Sequence, residues 1–415
     1  MSNSCLLRII VPILALLASP AHAMSGEVRD AVTGLPVAGA TVTLSGGLVH
    51  TDKQGIFSGE GSGNLRVRAP GYHRMGTVAA NDDTGHVILL EPIEPHAVFL
   101  SLAALDDPDM VDRILALKRT SSINALVIDV KAESGELALM GHDPFQLQDT
   151  AHLARRAQTL KRVLQHMREQ HMYAIARISV FKDDALARRQ PALGLKTMRG
   201  LPLHGRDGWR WTNPDNEAVR AYNIAIALVA ARAGFDEIQF DYVRFPTRKM
   251  PLGAAYSGDR RASINAFLSD ARAALTPYNV FLSADVFGFA SWDVGDTNIG
   301  QNLEDIAQRV DYICLMLYPS AFRDGLQGVP MPLDQPGQIV RLSLEKARQR
   351  TGLSADRFRP WLQAFRDHNF DGRPFGRAEI AAQVEAAEAF GASGWMLWHS
   401  KSTYDPGDLP PARPR

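Results

Sequence analysis

Residues 235–246 read FDEIQFDYVRFP, and this stretch decides the fold. Its apolar and polar side chains alternate with a period of two, which is typical of a β-strand. The alternation places Glu237, Gln239 and Asp241 on one face of the strand and the apolar residues between them on the other. The sequence therefore predicts a strand whose polar face ends in a carboxylate.

A helix is predicted directly before this strand. We expect Asn213 to cap it, Pro214 to occupy its first turn and Gly234 to end it. A helix that leads at once into a strand is one unit of a repeating βα pattern, and such repeats favour a parallel sheet with its helices outside.

The rest of the chain repeats this pattern. Seven further apolar runs of strand length lie at residues 97–102, 125–130, 173–181, 280–289, 312–318, 359–365 and 394–398. Helical segments are predicted between them, including residues 109–118, 152–170, 263–275 and 377–390. Eight strands predict an α/β fold of the closed (β/α)₈ TIM-barrel type. A doubly wound open sheet is the alternative, and it is disfavoured because no glycine-rich phosphate loop follows an early strand.

The N-terminal segment has the features of a signal peptide. Arg8 precedes an apolar run at residues 9–18, and small residues at Ala21 and Ala23 fit the site that a signal peptidase cleaves. We expect residues 1–23 to be removed and the protein to be exported to the periplasm or outside the cell, without stable insertion in the membrane. Loss of Cys5 would leave Cys314 as a lone, packed thiol that cannot form an internal disulfide.

Residues 24–93 have short alternating runs separated by turns, which predict a small antiparallel β-sandwich. The strings GEVRDAVTGLPVAGATVTLSG, TDKQGIF and LRVRAPGY resemble the carboxypeptidase regulatory-like domain, a transthyretin-like sandwich that is usually accessory. Residues 91–95 are the predicted junction. The barrel is expected to span residues 95–405, with a proline-rich tail at 406–415, and a chain starting near residue 94 is expected to fold alone.

Composition excludes several classes of function. Lys plus Arg and Asp plus Glu number 45 each, so no basic excess indicates a nucleic-acid partner. No histidine pair has zinc-site spacing, and neither a CxxC nor a GxSxG motif occurs. We therefore predict no metal and no cofactor.

In a TIM barrel the functional groups lie at the C-terminal ends of the strands. Asp241 and Asp285 occupy corresponding places on the fourth and fifth predicted strands. Paired carboxylates can divide the roles of nucleophile and acid. The alternative is a structural network in which both aspartates pair with Arg177 or Arg244.

The strings NALVIDVKAESGE, YAIARISVFKDDALA, GFDEIQFDYVRFP, LSADVFGF, VDYICLMLYPS, RPWLQAF and GWMLW occur in this order. Together they resemble a glycoside hydrolase-like barrel domain of exported bacterial proteins, a family long classed as of unknown function. The resemblance implies a secreted glycosidase that acts on a polysaccharide or oligosaccharide, with Asp241 as nucleophile and Asp285 as acid/base. A non-catalytic carbohydrate- or envelope-binding protein is the alternative. Substrate-binding residues are expected at Asp129, Lys131, Arg177, Arg244, Tyr318, Gln363 and Trp398.

Two details refine this expectation. Chitinase-like barrels carry their acid two residues after the last aspartate of the fourth strand, and here that position is Val243. Among the aromatic residues, we expect Trp398 and Trp211 to contact sugar in preference to Trp361 and Trp395. Tyr242 and Phe245 are expected to be packing residues. Oligomeric state is not predicted.

Overall fold

A computed structural model of the chain describes residues 23–61, 63–80, 85–141, 144–145, 149–247 and 258–412. The predicted signal peptide lies outside these residues except for Ala23, at which the first strand begins.

The N-terminal part is a sandwich of two small sheets. Its strands are β1 (Ala23–Asp30), β2 (Thr41–Leu44), β3 (Gly47–His50), β4 (Ile56–Glu60), β5 (Gly63–Arg68), β6 (Met75–Ala80) and β7 (His86–Leu90). One sheet has the order β4-β1-β7 and the other β3-β2-β5-β6. The pairing of β1 with β7 is parallel, and the other pairs are antiparallel. Alternate residues such as Val28, Val42, Phe57 and Val67 fill the core between the sheets.

The larger part is a closed barrel of eight parallel strands, which confirms the predicted fold class. The strands are β8 (His96–Leu100), β9 (Ala125–Lys131), β10 (Tyr173–Ser179), β11 (Glu237–Asp241), β12 (Phe281–Phe287), β13 (Tyr312–Met316), β14 (Trp361–Gln363) and β15 (Trp395–Trp398). Each lies within or next to one of the eight apolar runs of the sequence.

Helices surround the barrel. They are α1 (Leu102–Leu105), α2 (Pro108–Thr120), α3 (Thr150–Glu169), α4 (Asp184–Arg189), α5 (Glu217–Ala233), α6 (Arg260–Leu275), α7 (Leu303–Ala307), α8 (Pro336–Thr351) and α9 (Arg377–Phe390). Their buried apolar faces pack against the outer faces of the strands in one continuous core.

The start of α5 differs from the prediction. Its cap is Asn216, whose side chain accepts hydrogen bonds from the backbone N–H of Ala218 and Val219 at 2.9 and 3.4 Å. Asn213 instead accepts from Asp215 at 3.1 Å, so it forms the turn that leads into the helix. The end is as predicted, because Gly234 adopts a left-handed conformation with φ of 100°.

A coil takes the place of a helix after β15. Tyr404 Oη accepts from the Phe99 N–H at 3.0 Å and donates to the Leu397 carbonyl at 3.0 Å. Further along, the Pro410 carbonyl accepts from Ser122 N–H at 2.8 Å. The tail is therefore part of the barrel wall as far as it is described.

The lower part of the barrel interior holds a buried ion pair. Glu237 is fully buried and pairs with Arg359. The same carboxylate accepts from Tyr173 Oη at 3.0 Å and from Ser283 Oγ at 2.6 Å. Both carboxylate oxygens of Glu237 therefore have a partner, as a buried charge needs if it is not to destabilise the fold.

A sulfur-rich layer lies above this pair. Gln239 donates to Cys314 Sγ and to Met396 Sδ, both at 3.4 Å. Cys314 is fully buried, and burial raises the pKa of its thiol well above the usual value. The prediction of a packed core thiol is confirmed.

The sandwich contacts the barrel at the N-terminal ends of the strands. Arg74 donates to Asp236 at 3.1 Å, and the N–H of Gly71 donates to Tyr312 Oη at 3.1 Å. Asn279 lies at the centre of this contact, because its amide donates to the carbonyls of Val67 and Met75 at 3.2 and 3.0 Å. The sandwich therefore covers the end of the barrel opposite to the catalytic mouth of this fold class.

No helix in the described ranges is long and apolar enough to cross a membrane.

We predict that Asn279 stabilises the contact between the two parts. Asn279→Ala should lower the free energy of unfolding by about 2–4 kcal/mol, because it removes two hydrogen bonds to carbonyls at this contact, one buried and one partly buried. Asn279 has φ of 53°, so Asn279→Gly should be less harmful than alanine by about 1 kcal/mol. Urea unfolding of both variants measures this, and equal stability of wild type and Asn279→Ala would contradict it.

Candidate active site

The candidate site is a cavity of about 130 Å³ at the C-terminal mouth of the barrel. Its wall is formed by Arg177, Asp241, Tyr242, Arg244, Phe287, Met316, Tyr318, Trp361 and Trp398. Most of these residues lie near or just beyond the C-terminal ends of strands β10 to β15, and Trp361, at the start of β14, is level with the end of β13. Functional groups of such barrels converge at this end.

A larger cleft of about 930 Å³ lies at the other end of the molecule. It is bounded by sandwich residues such as His73 and by barrel residues such as Asn124 and Gln170. Neither predicted catalytic aspartate lines it, so we place the candidate active site at the smaller cavity.

Arg177 is the centre of the site. Its guanidinium donates to Asp241 Oδ2 from Nε at 3.0 Å and from Nη2 at 2.6 Å, to Asp129 from Nη1 at 2.6 Å and to Glu133 from Nη2 at 2.6 Å. The residue is 1% exposed. Burial opposes its charge, but the three carboxylates outweigh burial and raise the pKa of Arg177 well above the usual value. Arg177 therefore remains a cation and orients all three acids.

One cation cannot hold three neighbouring carboxylates charged to the same degree. Burial raises the pKa of Asp129 from 3.8 to about 7, although Arg177 partly offsets this effect. Glu133 behaves in the opposite way: burial opposes ionisation, but Arg177 holds the pKa of Glu133 below the usual value. The protonation states of the two acids therefore diverge near neutral pH.

Asp241 forms part of the cavity wall and pairs with Arg177. Its Oδ2 takes both donors of the Arg177 edge, and its Oδ1 accepts from the N–H of Tyr242 at 2.5 Å. Tyr242 has φ of 48°, an uncommon conformation for a residue with a Cβ. The backbone turns sharply here, and this turn aims an N–H at the carboxylate.

Asp285 is in a different environment. It is 1% exposed, and its Oδ1 accepts from the indole N–H of Trp361 at 2.7 Å. Its Oδ2 is buried and has no hydrogen-bond partner among the described residues. Burial, reinforced by the nearby charge of Asp241, raises the pKa of Asp285 well above the usual value. These surroundings favour the protonated form of Asp285.

Both aspartates point into the barrel, as the period-two pattern predicts. On β11 the alternate residues Ile238 and Phe240 pack into the outer core instead. Phe240 stands opposite Ala284 in the register of β11 with β12, so Asp241 and Asp285 follow at neighbouring positions. Asp285, however, does not line the cavity. Trp361, whose indole N–H donates to Asp285, does line it, so Asp285 lies behind Trp361.

Four of the seven predicted substrate-binding residues line the cavity, namely Arg177, Arg244, Tyr318 and Trp398. Trp398 stacks on Phe99 with ring centroids 4.2 Å apart and lies 5.0 Å from the Arg177 guanidinium. Tyr318 packs edge-on against Phe365 at 5.4 Å. The cavity thus combines aromatic walls with charged groups.

Lys131 does not reach the cavity. A β-bulge in β9 pairs Asp129 with Arg177 but Lys131 with Ile178, so Val130 is an extra residue and the side chain after it changes face. Lys131 is fully buried on the outer side and pairs with Asp183 at 2.7 Å.

Asp129 and Gln363 also lie away from the cavity wall. Asp129 points inward but is covered by Arg177, which it helps to fix. The Gln363 amide accepts from the Ser320 N–H at 3.0 Å and donates to Ser320 Oγ at 2.7 Å. Asp129 and Gln363 therefore support residues of the site by hydrogen bonds and do not form part of the cavity wall.

The aromatic expectations need correction. Trp361 and Tyr242 line the cavity, whereas Trp211 does not. Trp395 faces outward and stacks on His96 at 4.5 Å, as an unlikely sugar contact should. Phe245 is buried, as expected for a packing residue.

Sequence reasoning missed Glu133, Phe287 and Met316. The sequence did contain a signal for Glu133, because this residue follows β9 in the same string as Asp129. Phe287 and Met316 are apolar residues at strand ends, and nothing in their local sequence separates them from core residues.

In the described part of the chain, no three His, Cys, Asp or Glu side chains form a group that could hold a metal ion.

Comparison with known proteins gives a fold and a family. No curated protein matches the chain. Among solved structures, the glycoside hydrolase domain of PgaB (BpsB) from Bordetella bronchiseptica is 17% identical with a TM-score of 0.54, over 75% of this chain and 95% of that one. A hypothetical protein from Ruminiclostridium thermocellum is 29% identical over 46% of this chain and 97% of that one, with a TM-score of 0.38.

A class V chitinase from Pseudomonas fluorescens is 13% identical, with a TM-score of 0.45 over 76% of this chain and 97% of that one. The family model described as "Putative glycosyl hydrolase domain" (DUF4015) matches residues 97–404, which is almost the whole barrel. The chain therefore belongs to this family of glycosyl hydrolase-like domains.

Proposed function

We propose that the protein is a glycosidase that hydrolyses a polysaccharide with Asp241 and Asp285 as its catalytic pair. The observation that carries this proposal is the contrast between the two carboxyl groups. Asp241 pairs with Arg177 at the cavity wall, whereas Asp285 is buried on the adjacent strand, where burial raises its pKa. An ion-paired carboxylate beside a buried carboxyl group fits the division into nucleophile and acid roles. Membership of the glycosyl hydrolase-like family supports the same reaction.

In the proposed reaction, Asp241 attacks the anomeric carbon while Asp285 gives its proton to the leaving glycosidic oxygen. Water then hydrolyses the glycosyl-enzyme, and Asp285 recovers a proton from that water. Adjacent strands lie about 4.8 Å apart, which favours the short carboxyl separation of retaining enzymes, about 5–5.5 Å. Asp285 must reach the leaving group past Trp361, so this indole has to shift when substrate binds.

Arg177, Tyr318 and Trp398 would position the sugar. Trp398 offers an aromatic edge or face beside the Arg177 guanidinium, and such surfaces suit the apolar faces of pyranose rings. The cavity of about 130 Å³ is smaller than the roughly 300–1,000 Å³ of pockets that enclose drug-sized ligands. We infer that it holds part of one sugar residue, while the remaining residues lie outside it.

A non-catalytic carbohydrate-binding protein is the second candidate. The position of Asp285 behind Trp361 favours it, because a binding protein needs no acid within reach of a glycosidic oxygen. The two functions differ in turnover, which the variants below measure.

We further propose that the protein acts outside the cytoplasm and that the sandwich is an accessory module. The signal-peptide pattern of residues 1–23 and the resemblance of residues 24–93 to regulatory-like domains support this. The exported chain should begin near Met24. Mass spectrometry of its N-terminal peptide tests the prediction, and an intact Met1 in the exported fraction would contradict it.

The roles of the two aspartates predict different responses to the leaving group. Asp285→Asn should lower hydrolysis of natural glycans by about 10²–10⁴-fold, the usual contribution of a general acid. It should leave the first step nearly intact on dinitrophenyl glycosides, because that leaving group needs no proton. Asp241→Asn should lose activity on both substrates. Burst kinetics on a panel of dinitrophenyl glycosides measures the difference.

Asp109, which is exposed in the first turn of α2, provides the matched control. Asp109→Asn should leave turnover unchanged. Turnover that survives in Asp241→Asn, or equal losses of Asp285→Asn on both kinds of substrate, would overturn the assigned roles.

Asp129 predicts a dependence of stability on pH. Its pKa rises from 3.8 to about 7 on folding, so the folded protein holds this proton more tightly than the unfolded chain. The stabilisation is complete below pH 4 and is lost as the pH rises to about 7, at about 1.4 kcal/mol per pH unit. Asp129→Asn lacks this term, and its unfolding free energy relative to wild type should therefore increase across this window.

Urea unfolding between pH 4 and pH 8 measures this effect, with Asp109→Asn again as control. Parallel pH profiles of wild type and Asp129→Asn would contradict the prediction.

A further inference from the structure

Arg244 is a buried cation in the cavity wall that the proposed reaction does not use. It is 8% exposed, and it forms no salt bridge within the described ranges of the chain. Its Nη1 donates to the Phe245 carbonyl at 3.1 Å. Its Nε is buried and has no hydrogen-bond partner among the residues that the structure describes. A buried guanidinium with an unused donor is costly unless something else supplies the acceptor.

Three aromatic rings hold the Arg244 guanidinium. Its Cζ lies 4.5 Å from the ring centroid of Phe287, 4.9 Å from that of Tyr242 and 5.0 Å from that of Trp211. The rings attract the cation and fix its plane, but they offer no acceptor in that plane. The rings thus orient the Arg244 guanidinium before any ligand binds, and its Nε–H remains without an acceptor among the described residues.

Other arginines of this protein show what the Nε–Nη2 edge of a guanidinium binds. In each of four cases, Nε and Nη2 of one guanidinium bind the same carboxylate: Arg156 with Asp106, Arg177 with Asp241, Arg261 with Asp305 and Arg350 with Glu304. In Arg244 the same edge has no acceptor in the part of the chain that the structure covers. The nearby carboxylate, Asp241, already binds Arg177 through its Oδ2 and Tyr242 through its Oδ1.

We propose that Arg244 binds the carboxylate of an acidic sugar, so that the substrate is a polysaccharide with uronic acid or similarly carboxylated residues. A planar carboxylate matches the two parallel donors of a guanidinium edge, which a neutral hydroxyl does not. Tyr242 and Phe287 share the cavity wall with Arg244, so the sugar would enter between these rings. This inference rests on the proposed glycosidase function and specifies its substrate class.

The test compares each acidic polysaccharide with its own carboxyl-reduced form. Carbodiimide activation and borohydride reduction convert uronic acids to neutral hexoses without changing the linkages. Release of reducing ends from polygalacturonate, alginate, hyaluronan and bacterial acidic exopolysaccharides would be measured with the full chain. The expected result is that a cleaved polysaccharide loses at least about tenfold in kcat/KM when its carboxyl groups are reduced.

Two variants of Arg244 separate charge from geometry. Arg244→Gln should abolish the preference for the acidic form, leaving equal kcat/KM for both forms. Arg244→Lys keeps the charge but lacks the paired donors, and it should also lose most of the preference. Arg162→Gln, an exposed position on α3, is the matched control and should keep the preference. Thermal unfolding of each variant verifies that it is folded.

Binding distinguishes failure of this inference from failure of the proposed function. Calorimetry would use oligogalacturonate and its carboxyl-reduced form as probes. Carboxyl- and Arg244-dependent binding without cleavage of any substrate would sustain the inference and overturn the glycosidase proposal. Asp241-dependent cleavage of a neutral glycan, with no response to Arg244→Gln or to carboxyl groups, would sustain the glycosidase and overturn the inference. An equal preference for sulfated sugars in place of carboxylated ones would also overturn it.

Discussion

The mouth of the barrel depends on one guanidinium that is shared by three carboxylates. Arg177 is withdrawn from water, lies beside the stacked rings of Phe99 and Trp398, and uses four hydrogen bonds to hold Asp129, Glu133 and Asp241. Removing water strengthens each of these attractions, but it also makes an unbalanced charge costly. Burial raises the pKa of Asp129, whereas Arg177 holds that of Glu133 below its usual value, so the acids around Arg177 do not all ionise alike. Arg177 does not bind Asp285, and burial raises the pKa of Asp285.

The barrel interior separates this cluster from a second buried ion pair. Glu237 and Arg359 lie near the N-terminal ends of the strands, and a layer containing Cys314 and Met396 lies between the two charged layers. The lower pair has hydrogen-bond partners on every oxygen of its carboxylate, and it lies at the end that the sandwich covers. Asp285, in contrast, has one oxygen without a partner among described residues. A carboxylate with partners on both oxygens at one end, and a carboxyl group with one unpartnered oxygen at the other, are consistent with a structural base and a chemically active mouth.

Much of this arrangement could be predicted from the sequence, because it follows from local periodicity. Alternation along residues 237–241 determines that Asp241 points inward, and the repeat of βα units determines which end of the barrel it occupies. Lys131 shows where this reasoning fails: the bulge at Val130 is set by pairing with β10, and one extra residue reverses the face of everything after it. The same limit applies to Trp361, whose indole binds Asp285 from 76 positions away. Such contacts depend on closure of the barrel, which no local pattern encodes.

The two arginines of the cavity wall show that the structural and functional interpretations of a charged cluster need not exclude each other. Asp241 does pair with Arg177, as a purely structural network requires, but Asp285 pairs with neither arginine. Arg177 has most of its donors engaged by the protein itself, so its role is to fix acids that belong to the chain. Arg244 is held by rings, and its Nε has no acceptor among the described residues. A buried, oriented cation with one donor that lacks an acceptor destabilises the folded state unless a ligand provides that acceptor. The difference in hydrogen-bond saturation, more than the charge itself, therefore distinguishes Arg177, which supports the site, from Arg244, which we propose binds the substrate.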